Sequence, residues 1–168
     1  MGDININFDV SDDSFDIPLD NLYLVAVEAF NYLEIQKSTV SIYFSDDDYV
    51  QNLNHQYRGL NEVTDVLSFS NDFEGQYYGD QLDLREGLIE EDFVIPENFQ
   101  DYLGDIVISF PQACRQSIEN HVDLVDELMK LVAHGILHLL GFDHENISEE
   151  LEMNSISDTI ISLVKNNA

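Results

Sequence analysis

Residues 134–144 read HGILHLLGFDH, in which two histidines four positions apart place their rings one above the other on a single helical face. Leu124, Val125, Leu128, Leu131 and Val132 precede them and Leu139 and Leu140 follow, so the helix has a broad apolar surface and should be buried. Gly141 comes just after the last periodic residue, where a left-handed position ends a helix without steric cost. The chain can turn there and bring His144 back towards His134 and His138. Three imidazoles converging from a helix and its following turn leave a fourth position for water, the arrangement of catalytic rather than structural zinc sites. A lone histidine on an apolar helix is more often a satisfied core residue than a ligand. A third histidine behind the glycine argues against that reading, since burying three imidazoles without a partner is costly. His55 and His121 lack such company and are expected at the surface.

The spacing H-x-x-x-H-x-x-G-x-x-H is that of the metzincin metalloproteases, with one decisive difference. Those enzymes carry Glu directly after the first His, as general base. Here that residue is Gly135, so a proton acceptor worth about 100- to 10,000-fold in rate is missing. A peptidase is disfavoured on chemistry.

Outward from this helix, the chain alternates short strands and helices. Ile4, Ile6 and Phe8 alternate with Asp3, Asn5 and Asn7 as in a half-exposed strand. Pro18 opens a helical pattern through Leu33, and TVSIYF (39–44) is β-branched and aromatic like a strand. Ser45 and Asp46 to Asp48 begin a short helix to Tyr57, VTDVLSF (63–69) and GDIVISF (104–110) read as strands, and helices follow at about 111–120, 123–140 and 148–165. The expected fold is α+β: a small mixed sheet covered by helices, in a single domain spanning 1–168. Between the last two strands, residues 71–102 hold ten acidic side chains against one basic, Arg85, and read as a solvated excursion too short for a core of its own.

Composition limits the chemistry further. Cys114 is the single cysteine, expected as a small buried side chain; it excludes an internal disulfide and a thiolate cluster, so a metal must rest on His and carboxylates. No signal peptide or membrane span is expected, and the expected location is the cytoplasm. The net charge of −28 repels nucleic acid at long range, which counts against an RNA or DNA partner.

With HGILHLLGFDH, Gly135 included, two further segments carry a resemblance: LNHQYRGLNEVTDVLSF (53–69) and LGDIVIS (103–109). In this order, and at this overall length, they resemble the YbeY family, bacterial endoribonucleases of ribosomal RNA maturation. The likeness covers most of 39–153 apart from the acidic segment. Val63 stands where the family commonly has Pro, and the 71–102 segment is longer and more acidic than usual. The resemblance implies a zincin-like α+β fold, one zinc ion on His134, His138 and His144, and hydrolysis of single-stranded RNA. It also implies a role in 3′-end maturation of small-subunit ribosomal RNA and in ribosome quality control, with the small subunit or assembly factors as partners.

Arg58 matches the family's cleft arginine, and a guanidinium suits both gripping a phosphate and stabilising charge that builds during phosphoryl transfer. Without the motif, Arg58 would read as a surface charge at a helix end. Asp143 is a candidate base or orienting acceptor, Asp65 and Asp105 read as hydrogen-bonding scaffold, and Met153 as a core residue that in metzincin fashion could underlie the metal. Two other readings stay open: a metal-stabilised assembly factor that binds ribosomal proteins and cleaves nothing, and a metallohydrolase acting on peptide or another small substrate.

Overall fold

The computed structural model describes residues 4–71 and 101–168. The acidic excursion expected at about 71–102 therefore lies, apart from Asn71, Asp101 and Tyr102, outside the described residues, and Arg85 with it. Among the described residues four strands form one sheet in the order β1-β2-β4-β3: β1 (Ile4–Val10), β2 (Ser38–Ser45), β4 (Tyr102–Ser109) and, at its edge, β3 (Val66–Ser70). β1, β2 and β4 run parallel, while β3 is antiparallel to β4, with Val66 opposite Ile108 and Ser70 opposite Gly104. The sheet is mixed and the fold α+β, as expected.

Alternation along β4 explains its nearly continuous apolar run, because both of its faces are covered. Ile106 and Ile108 join the main core with β2, α1 (Leu19–Tyr32), α4 (Leu124–Leu139) and α5 (Ile147–Asn167). Val107 points the other way and packs with Leu67 against Val50, Leu53 and Tyr57 of α2 (Asp47–Arg58). α3 (Phe110–Glu119) leads from the sheet back to α4. No helix among the described residues is long and apolar enough to cross a membrane.

Polar side chains move several boundaries from where periodicity puts them. Asp46, not Ser45, caps α2, accepting from the Tyr49 amide at 2.9 Å. β3 starts at Val66 rather than Val63, because α2 ties down the approach to it: Asn54 Nδ2 donates to the Glu62 carbonyl at 2.9 Å and Gln51 Nε2 to Asn61 Oδ1 at 3.2 Å. β4 ends at Ser109, whose hydroxyl accepts from Gln112 N–H and so begins α3 one residue early, at Phe110.

Gly104 lets β3 and β4 approach. Thr39 and Val40 of β2 face Tyr102 and Gly104, so β4 carries an irregularity at Leu103. At φ +146° a Cβ on Gly104 would lie 2.2 Å from the Phe69 carbonyl oxygen. A side chain there is incompatible with the pairing.

Candidate metal centre

The C-terminal half of α4 carries His134 and His138, and the helix ends as the glycine implied. Gly141 has φ +92°, its N–H donates to the His138 carbonyl at 3.0 Å, and Phe142 N–H donates to the Leu137 carbonyl at 3.0 Å. The returning loop is fixed at its far end by reciprocal caps on α5: Asn146 Oδ1 accepts from Glu149 N–H at 2.9 Å, and Glu149 Oε2 accepts from Glu145 N–H at 3.1 Å. Between these anchors His144 turns back towards the helix. The three rings have centroids 4.5, 5.0 and 5.5 Å apart, and one ligand nitrogen from each lies within 4.8 Å of the others. These three histidines could hold a metal ion.

The donor set fits a cation. His138 Nδ1 lies 3.0 Å from the Phe142 carbonyl, which can only accept, so Nδ1 carries the proton and a neutral ring leaves Nε2 with a bare lone pair. That Nε2 faces His134 Nε2 at 2.9 Å, a spacing at which the two nitrogens share a proton or, once both are bare, a cation. Burial, then the neighbouring His138 and His144, pushes His134 down to about 4 from the usual 6.5. Burial and His144 lower His138 as well. At neutral pH both rings are therefore uncharged and ready to ligate.

Below about 6.5 the unfolded chain takes up a proton at His134 that the folded, metal-free chain resists until about 4. The unfolded state binds more protons in that window, so the His134 contribution to stability is lost as pH falls through it. In urea titrations of metal-free protein, His134→Gln should flatten the midpoint-versus-pH curve between about pH 6.5 and 4. Parallel curves for the two proteins would contradict this.

The histidines open into a cleft of about 730 Å³ bounded by the end of α4, edge strand β3 and the end of α2. Arg58 is the last residue of α2, which Gly59 terminates at φ +70°, and it faces the same cleft. Asp65 lines it too, with Oδ1 held by Val66 N–H at 2.8 Å and the Thr64 hydroxyl at 3.4 Å. Asp65 is thus a cleft wall as well as the scaffold its strand position suggested. Asp105 is scaffold, bonded to the Tyr102 hydroxyl. Asp143 accepts from the backbone N–H of His144 at 2.7 Å, whereas the acceptor on the His138 ring is the Phe142 carbonyl, a backbone role that residue types do not advertise. Met153 is buried on α5 and does not line the cleft. His55 and His121 are exposed, and Cys114 is half-buried rather than fully buried.

Gly135 faces the sheet. A Cβ there would lie 2.8 Å from Ile106 Cγ2, so the metzincin glutamate has no room at this position. Its carbonyl accepts from the Ser68 hydroxyl of β3 at 3.2 Å, tying the edge strand to the ligand helix.

Residues 5–165 match the family described as Endoribonuclease YbeY. A protein of that name from Treponema denticola is 37% identical over 139 residues, covering 83% of this chain and 79% of the relative. One from Brevibacillus brevis is 36% identical over 143 residues, covering 85% of each. The solution structure of a Thermotoga maritima protein is similar in fold, with TM-score 0.57 and 22% identity over 96% of this chain and 90% of that one.

Proposed function

Since the chain belongs to the YbeY family of endoribonucleases, we propose that it is a zinc-dependent hydrolase of single-stranded RNA acting in 3′-end maturation of small-subunit ribosomal RNA and in ribosome quality control. The observation that carries this reading is the convergence of His134, His138 and His144 in a cleft that Arg58 shares. Zinc is the ion proposed because its bonds to imidazole, about 2.0–2.1 Å in a tetrahedral site, put ligand nitrogens about 3.3–3.4 Å apart. The Nε2 atoms of His134 and His138 lie 2.9 Å apart, and one nitrogen from each of the three rings lies within 4.8 Å of the others. A bound divalent ion would supply Lewis-acid polarisation of a phosphate oxygen and activation of water.

The chain's own residues do the rest. The Phe142 carbonyl fixes the tautomer and tilt of His138, and the Asp143 carboxylate holds the backbone that presents His144. Arg58 binds the scissile phosphate and neutralises the charge that grows on it. A location in the cytoplasm, and contact with the small subunit or its assembly factors, belong to the same reading.

The test is cleavage of a structured RNA with a single-stranded tail by a nuclease-free preparation, with and without chelator. Arg58→Ala should lower turnover by about 100-fold or more, the usual effect of removing a donor that stabilises transition-state charge. Undiminished cleavage by Arg58→Ala would remove Arg58 from the mechanism, and chelator-resistant cleavage would remove the metal. A net charge of −28 favours a second reading, an assembly factor that binds basic ribosomal proteins without cutting RNA. Absence of metal-dependent turnover in the same assay would select it.

A further inference from the structure

Cations are scarce in this chain, and how they are spent is informative. Of the five described, Lys37 pairs with Asp101, Arg115 with Asp47 and Lys165 with Asp126, each at 2.8 Å. Arg58 and Lys130 form no ion pair among the described residues, although the chain has 34 carboxylates to offer. Both are exposed. Lys130 is one helical turn before His134 on the same face of α4, so its Cα is about 6 Å along the axis from that of His134. Arg58 lines the cleft together with the histidines, whereas Lys130 stands on α4 just beyond that lining, on the N-terminal side of His134. Glu127, buried one turn before Lys130, feels its charge without an ion pair.

We propose that Lys130 contacts a backbone phosphate of the bound strand where it leaves the cleft past His134, so that two cations, Arg58 in the cleft and Lys130 beside it, hold the RNA at the metal centre. This rests on the RNA-cleaving reading above and gives it a direction, with the strand running along α4 between Lys130 and Arg58. It also answers the charge problem. An acidic protein can hold RNA with two positive charges if both stand where the strand is cut and neither is consumed by a carboxylate.

The test uses the full, metal-loaded chain and a fluorescent single-stranded DNA oligonucleotide, which offers the phosphates without being cleaved, read by anisotropy at several salt concentrations. Each neutralised phosphate contributes about 0.7 to the slope of log affinity against log salt for single strands. Wild type should show a slope of about −1.4, and Lys130→Ala about −0.7, with affinity at low salt about three- to fivefold weaker. Lys130→Arg should behave as wild type. In RNA cleavage the alanine variant should raise KM and leave kcat unchanged. A slope identical to wild type overturns the proposal, as does a loss confined to kcat. If wild type cleaves RNA and Lys130→Ala keeps its slope, the contact falls and the endoribonuclease reading stands. If the slope drops but no RNA is cleaved, the contact stands and that reading falls.

Discussion

Replacing His138 by alanine is expected to lower RNA cleavage by at least about 100-fold, more than the loss of an outer-shell partner, which typically costs 10- to 100-fold. His138 is the middle of the constellation. Its ring lies 4.5 Å from that of His134 and 5.0 Å from that of His144, and it is the ring whose tautomer the Phe142 carbonyl sets. Alanine removes a ligand and leaves the remaining two with weaker hold on the ion. Folding should survive, because the deleted ring is only partly buried and lines an open cleft. The check is initial-rate cleavage by variant and wild type after identical metal loading, with circular dichroism as the folding control. Activity within tenfold of wild type would exclude His138 as an essential ligand.

The second large effect falls on stability. Gly104→Ala should destabilise the chain by about 2–6 kcal/mol, combining backbone strain of about 1–3 kcal/mol with overpacking of about 1–3 kcal/mol. Its Cβ would stand 2.2 Å from the Phe69 carbonyl oxygen, 2.9 Å from Leu139 Cδ2 and 3.0 Å from Ser70 Cα, at φ +146°. Relief would require β3 to move off β4 and Leu139 to shift on the helix that carries His138, so metal affinity should fall with stability. Gly141 supplies the comparison: at φ +92° its added Cβ would meet nothing within 4 Å, and Gly141→Ala should cost conformational strain alone. Urea midpoints for the two variants decide the matter. A Gly104→Ala midpoint equal to or above that of Gly141→Ala would contradict the packing argument.

The order of strands and helices, and the three histidines, were legible because each rests on local chemistry. Period-2 and period-3.6 patterns, a glycine after the last apolar position, and histidines four apart all operate within one or two turns of chain. What escaped the sequence depends on pairs far apart along it. That β3 is an edge strand bounding the cleft follows from its antiparallel pairing with β4, across the 71–102 segment. That Gly135 is excluded from bearing a side chain follows from Ile106, and its hydrogen-bonded tie to Ser68 spans 67 positions. Lys130 carries no motif of its own, and Asp65, read as scaffold within the 53–69 segment, gains its place in the cleft wall only once the sheet sets β3 beside α4. The strand boundaries shifted for the same reason, since Asn54 and Gln51 hold the 61–62 backbone out of β3.

Metal content per chain, measured by elemental analysis of wild type and of His134→Ala, His138→Ala and His144→Ala, tests most directly whether these rings share one ion. Wild type should carry about one divalent ion per chain, and each variant, folded and treated identically, far less. Variants that keep the full complement would show that the metal resides elsewhere and that the cleft is not its site.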